Sequence, residues 1–191
     1  PKKVKKQWTL TELDHGIFGE IVQNLNISPD GSSIVYPNVR FGKNQSMIFD
    51  IVKIDIEKKK KTILTSSMRA NYPKFSPSGE RILFVAHRSS ITDLYVIDKD
   101  GQNLKKLTSN TSDTQIITPC WSPNGEEIVF AESGPDGNLD LYTMLIENSQ
   151  KTQITNSSEG DYLPIWHPSG EKISNTGLYH YTPNLYTYYI N

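Results

Sequence analysis

The chain has a single cysteine, Cys120, in 191 residues. No disulfide can close within it, and cysteine usage leaves the redox compartment open. Cys120 sits in an apolar run two residues before a Ser-Pro pair, where a buried core thiol fits better than a nucleophile. Apolar runs last only a few residues, far short of the roughly 20 that span a bilayer as a helix, so no membrane insertion is expected. Charge of one sign is lacking too. The formal net charge is −1 and the pI about 6.5, so no overall field draws the chain to nucleic acid or anionic lipid. No window of helix length carries a 3.6-residue apolar period. A Gly-x-Ser-x-Gly elbow, a Walker loop and a Gly-x-Gly-x-x-Gly turn are all missing, and no catalytic residue is assigned. His15, His87, His167 and His180 form no close pair with metal-ligand spacing, so no metal or other cofactor is expected. The sequence begins at Pro1 without methionine. A processed or trimmed product is expected, and a missing leader says nothing of compartment.

A repeat fills the space these absences leave. Residues 72–110 read YPKFSPSGERILFVAHRSSITDLYVIDKDGQNLKKLTSN, and the rest of the chain echoes them. The turn Ser76-Pro77-Ser78-Gly79 recurs as Ser28-Pro29-Asp30-Gly31, Ser122-Pro123-Asn124-Gly125 and His167-Pro168-Ser169-Gly170, at intervals of 48, 46 and 45 residues. Pro presets φ at the first corner, a short polar residue follows, and Gly takes a positive φ or a close approach. A β-run starting at Asp50, Asp93, Asp140 and Asn184 follows each turn. Short closing runs end in Leu64-Thr65, Leu107-Thr108 and Ile154-Thr155, and Trp8-Thr9-Leu10-Thr11 resembles one more. Each unit reads as four short antiparallel strands of about 45 residues, the signature of a propeller blade. The Pro-punctuated segments Tyr72-Pro73-Lys74-Phe75, Thr118-Pro119-Cys120-Trp121 and Leu163-Pro164-Ile165-Trp166 are expected as innermost strands. Phe75, Trp121 and Trp166 should then pack between neighbouring blades. Lys2-Lys3-Val4-Lys5-Lys6 reads as a solvated, charge-protected edge.

The succession Tyr-Pro-x-Phe-Ser-Pro-x-Gly, a hydrophobic strand, Asp-Leu-Tyr-Val-Ile-Asp and Leu-Thr resembles the TolB-like, WD40-like propeller repeat, from about residue 21 to 191. The expected fold is all-β: one β-propeller domain over 1–191, built of four-stranded antiparallel blades. Its closing strand is placed at about 7–12 and its repeats at about 21–67, 68–113, 114–160 and 161–191. The fourth repeat departs most, with a polar second strand, Lys172-Ile173-Ser174-Asn175-Thr176-Gly177, and His167 for Ser. Family propellers usually have six or seven blades, so two readings stand: a small closed ring strapped by residues 8–11, or part of a larger propeller.

The resemblance implies a non-catalytic protein-binding module of the bacterial envelope, periplasmic or otherwise extracytoplasmic. Its partner is expected to be a protein, with no nucleic acid, and the chain is expected to form a homo-oligomer if the propeller is open. The alternative is the propeller of an enzyme, either a metal-dependent polysaccharide lyase or the gate of a serine peptidase. Loops on a rigid stack of blades tend to carry function. The residues leading into the inner strands are therefore the expected binding site: Arg69, Asn71 and Tyr72, Ile117 and Thr118, Asp161 and Tyr162. Asp98-x-Asp100-Gly101-x-Asn103 and Asp136-Gly137-Asn138-x-Asp140 resemble calcium loops faintly but read better as Asx-turns. Tyr179, Tyr181, Tyr186, Tyr188 and Tyr189 read as sheet packing rather than a base-stacking platform, since no basic residues interleave with them.

Overall fold

The computed structural model describes residues 24–41, 47–111, 113–134 and 136–190. Among them lie four antiparallel sheets in chain order and no α-helix. The first blade is β1 (Asn26–Ile27), β2 (Ser33–Phe41), β3 (Met47–Asp55) and β4 (Lys60–Ile63). The second is β5 (Ala70–Phe75), β6 (Arg81–Arg88), β7 (Ile91–Asp98) and β8 (Lys105–Lys106). The third is β9 (Ile116–Trp121), β10 (Glu127–Ser133), β11 (Leu139–Leu145) and β12 (Lys151–Gln153). The fourth is β13 (Asp161–Trp166), β14 (Lys172–Tyr179) and β15 (Thr182–Tyr189). The expected all-β, four-blade organisation is therefore present. The expected closing strand at 7–12 lies outside the described residues. Among the described residues no contact joins the first blade to the fourth.

The repeated turn works as its sequence dictates. The glycine N–H donates back to the first residue's carbonyl in every copy: Gly31 to Ser28 at 2.8 Å, Gly79 to Ser76 at 2.8 Å, Gly125 to Ser122 at 3.0 Å and Gly170 to His167 at 2.9 Å. Gly79 has φ +76, and a Cβ there would sit 3.4 Å from Pro29 Cδ of the preceding blade. Gly125 meets Pro77 in the same way. The turns thus stack on one another along the blades.

The Asp and Thr of the repeat form a clasp between the third strand and the closing run. Thr65, Thr108 and Thr155 accept the backbone N–H of Ile51, Leu94 and Leu141 at 2.9, 3.0 and 2.9 Å. Each donates its hydroxyl to the preceding aspartate, Asp50, Asp93 or Asp140, at 3.3, 2.9 and 3.4 Å. All six side chains are buried. A buried polar group must be hydrogen-bonded, so this pairing fixes the third strand to the closing run in the first three blades.

Central strands are apolar on both faces because both faces are covered. On β6, Ile82, Phe84 and Ala86 join Val35, Ile51 and Phe75 against the first blade. Leu83 and Val85 join Trp121, Ile128 and Phe130 against the third. Trp166 packs with Val129, Ala131 and Leu141 between the third and fourth. Phe75, Trp121 and Trp166 therefore fill the inter-blade spaces, as their sequence positions imply. Full burial of Phe84 or Phe130 contributes about 1.5–3 kcal/mol relative to exposure.

Candidate functional site

The inner strands of blades two to four kink where they pass proline. Pairing slips between Asn71 and Lys74 on β5 and between Tyr162 and Ile165 on β13. A matching slip falls between Val129 and Ala131 on β10, opposite β9. At each kink a non-glycine residue takes a left-handed φ: Tyr72 at 55°, Thr118 at 50° and Leu163 at 55°. Each directly precedes a buried proline, Pro73, Pro119 or Pro164. Such a backbone costs about 1–3 kcal/mol per residue and persists only where packing holds it. A bulge re-aims a side chain out of the pleat, and here it does so three times in adjacent blades.

The four inner strands frame an open cleft of ≈ 530 Å³. Ile27, Tyr72, Lys74, Thr118, Cys120, Leu163 and Ile165 line it, with Pro29, Pro77, Pro119, Pro123 and Pro164. Ile27, Leu163 and Ile165 are 53, 54 and 61 % exposed. Among the described residues Lys74 is the only charged one in the lining. Bonds across blades hold the wall. Phe75 N–H donates to Asn26 Oδ1 at 2.8 Å, and Trp121 Nε1 donates to the Lys74 carbonyl at 3.0 Å. The Thr118 hydroxyl is buried without a partner. Burial pushes the Cys120 thiol up from its ordinary value, and no histidine lines the cleft to act as its base.

The seven residues expected at the site fall in several places. Tyr72 and Thr118 line the inner-strand cleft. Arg69 and Asn71 line a second cleft of ≈ 480 Å³ with Met47, Phe49, His87 and Ser89. There, partial desolvation and the Arg69 charge push His87 below its ordinary value. Asn71 Oδ1 also accepts from Asn24 Nδ2 at 3.0 Å and from Tyr72 N–H at 2.8 Å. Ile117 packs on the core between the third and fourth blades. Asp161 is buried in a third cleft, and Tyr162 is half-buried on β13. Lys74, Leu163 and Ile165 were not among the expected residues. The signal for them is alternation along a strand broken at proline, which turns every second residue toward the cleft.

Neither acidic loop is shaped as a cage. Asn138 donates through its backbone and Nδ2 to the two oxygens of Asp136, at 3.1 and 2.8 Å. Asn103 Nδ2 donates to Asp98 Oδ2 at 2.7 Å. Both are Asx-turns. Among the described residues no three His, Cys, Asp or Glu side chains converge on a metal-sized site. His87, His167 and His180 lie in separate places, His167 bonded to Ser169 at 3.0 Å and His180 edge-on to Tyr179. His15 lies outside the described residues.

Comparisons with known proteins place this architecture. No protein-family model matches the chain. An uncharacterized protein of Agrobacterium fabrum is 27 % identical over 175 residues, covering 91 % of this chain and 54 % of that protein. The chain thus spans about half the length of this curated relative. TolB from Acinetobacter baumannii superposes with a TM-score of 0.72 at 18 % identity, over 88 % of this chain and 41 % of that one. An oligogalacturonate lyase in complex with manganese gives 0.67 at 15 % identity, over 84 and 48 %. A puromycin-hydrolyzing peptidase of Mycobacterium tuberculosis gives 0.63 at 14 %, over 82 and 28 %. The chain has the TolB-like β-propeller fold, a fold found in binding proteins and enzymes alike.

Proposed function

We propose that this chain is a non-catalytic protein-binding module of the TolB-like propeller type, working outside the cytoplasm in a bacterial envelope. One observation carries the reading. The exposed edges of the inner strands form a rigid, proline-walled cleft that is largely apolar, with Lys74 its one charged residue among the described residues. Such a wall suits an extended segment of a partner protein, which adds its backbone to strand edges and its apolar side chains to the spaces between them. Lys74 favours a segment carrying one carboxylate. Tyr72 and Thr118 belong to this surface, and Arg69 and Asn71 extend it along the neighbouring cleft. The location rests on resemblance to TolB.

A photo-crosslinking residue placed at Ile165 tests the surface in cells of the source organism, with Lys58, exposed on the first blade, as control. A discrete adduct is expected at 165 and not at 58. It should disappear with Lys74→Glu or Leu163→Asp and fractionate with the envelope. Equal labelling at both positions, or an adduct indifferent to those substitutions, would sink the reading.

A further inference from the structure

The fourth blade departs from the repeat at three positions that meet in space. Strand pairing sets Ala70 opposite Ala86, Ile116 opposite Glu132 and Asp161 opposite Gly177. It also sets Phe84 opposite Tyr95, Phe130 opposite Tyr142 and Asn175 opposite Tyr186. In the second and third blades the Phe and Tyr rings stack, with centroids 5.6 and 6.1 Å apart. The fourth blade has no phenylalanine there. Next to the vacated position lies a cleft of ≈ 570 Å³ between the third and fourth blades, lined by Glu159, Asp161, Tyr179, Tyr186 and Tyr188 among others. Gly177 makes the arrangement feasible, since a Cβ at that position would run into Asp161 Oδ1 and the Tyr186 ring.

Two acceptors are buried at this point. Asp161 is 3 % and Asn175 2 % exposed. Asn175 Nδ2 donates to Asp161 Oδ1 at 2.8 Å, while the buried Asn175 Oδ1 meets no donor among the described residues. Leaving such an atom unpaired is costly, and the carboxylate beside it forms no ion pair among the described residues. The third blade shows what completes such a site. There Lys151 places its ammonium 2.6 Å from Glu132 Oε1 and 4.7 Å from the centre of the Tyr142 ring. Glu132 and Tyr142 hold the positions that Gly177 and Tyr186 hold in the fourth blade. The fourth blade keeps the tyrosine and moves the carboxylate across to β13, but no lysine of the described residues follows.

We propose that the cleft between the third and fourth blades binds a cation with N–H donors, an ammonium or a guanidinium, seated against the Asp161 carboxylate and the Tyr186 ring, with the buried Asn175 hydrogen-bonded to that carboxylate. Charge, hydrogen-bond acceptors and an aromatic face all select this chemistry. It is independent of the inner-strand cleft. The cation comes from outside, on a partner or a free amine, or from the chain's own Lys2-Lys3-Val4-Lys5-Lys6 run.

The test is an amide NMR titration of the full chain with L-argininamide, with uncharged L-citrullinamide as counterpart. It is run on the natural chain and on one with Lys2, Lys3, Lys5 and Lys6 changed to Gln. Gly177 and Asn175 amides should shift with argininamide only. A response of the natural chain supports an external cation. A response that appears only after the lysines are neutralised supports the cis source. Asp161→Asn should weaken binding by about tenfold or more. Asn175→Phe, which restores the repeat's residue, should abolish it. The proposal is overturned by equal shifts with citrullinamide, by unchanged affinity in Asp161→Asn, or by no shift in either background.

Discussion

Substituting Asp93 by Ala tests the clasp that ties the third strand of a blade to its closing run. The Asp93 carboxylate is 3 % exposed and lies 2.8 Å from the Lys106 ammonium. It also accepts the Thr108 hydroxyl at 2.9 Å and the Asn110 N–H at 3.0 Å. Removing it takes this acceptor from all three donors. The Thr108 hydroxyl and the Asn110 N–H lose their acceptor, while Lys106, 33 % exposed, can turn to water; at about 1–2 kcal/mol for each stranded donor the cost is about 2–4 kcal/mol, and for a chain of this size that lowers Tm by roughly 4–16 °C. Asp93→Asn keeps an acceptor oxygen and loses only the charge, so about 1–3 kcal/mol is expected. Urea unfolding with a thermal melt measures both. The pH dependence carries a sign. Burial acts against the ionised form, but bonds from Lys106, the Asn110 N–H and Thr108 outweigh it and hold Asp93 below its ordinary 3.8. The stabilisation is therefore fully present above that ordinary value. It is lost as pH falls through the lower folded value, and the gap between wild type and Asp93→Asn should close there. An Asp93→Ala cost under about 1 kcal/mol would refute the clasp as a stabilising element.

Other consequences follow from the same geometry. Trp121→Ala removes a buried ring that Arg81 covers at 5.1 Å and whose Nε1 ties two blades. A loss of about 3–5 kcal/mol with collapse of the near-ultraviolet circular dichroism is expected, and an unchanged spectrum would show that the blades do not pack through it. Burial pushes Asp161 above its ordinary 3.8. Without ligand, wild-type stability should therefore fall as pH rises from that value through the raised folded one. Asp161→Asn should lack this slope and be the more stable protein at neutral pH, and a parallel pH profile for both would contradict it. Gly79→Ala and Gly31→Ala both force a β-carbon onto a positive φ, costing about 1–2 kcal/mol. Only at Gly79 would that β-carbon meet the neighbouring blade, in ordinary van der Waals contact with Pro29, so the two costs should agree within about 1 kcal/mol by chemical denaturation, and a much larger cost at Gly79 would mean that the turns pack more tightly than this.

The repeat was legible because the first three blades solve the same local problem with nearly the same residues. Ser-Pro-x-Gly closes a tight turn, the aspartate and Leu-Thr form the clasp, and apolar central strands need covering on both faces. Those are short-range rules, and spacing in the chain is enough to reveal them. The roles of Phe75, Trp121 and Trp166 followed, since each large ring stands at a fixed distance from its turn. Only part of what lines the cleft was legible, Tyr72 and Thr118 but not Lys74, Leu163 or Ile165. A residue before proline is ordinarily biased to extended backbone, yet Tyr72, Thr118 and Leu163 are left-handed. Only packing between blades imposes that, and it decides that Leu163 and Ile165 face out while Ile117 and Asp161 turn inward. The polar second strand of the fourth blade was visible as an oddity in the sequence. Its sense emerged only when pairing brought Asn175, Gly177 and Asp161 together, because residues 14 to 16 apart in the chain become neighbours through a register that the sequence does not print.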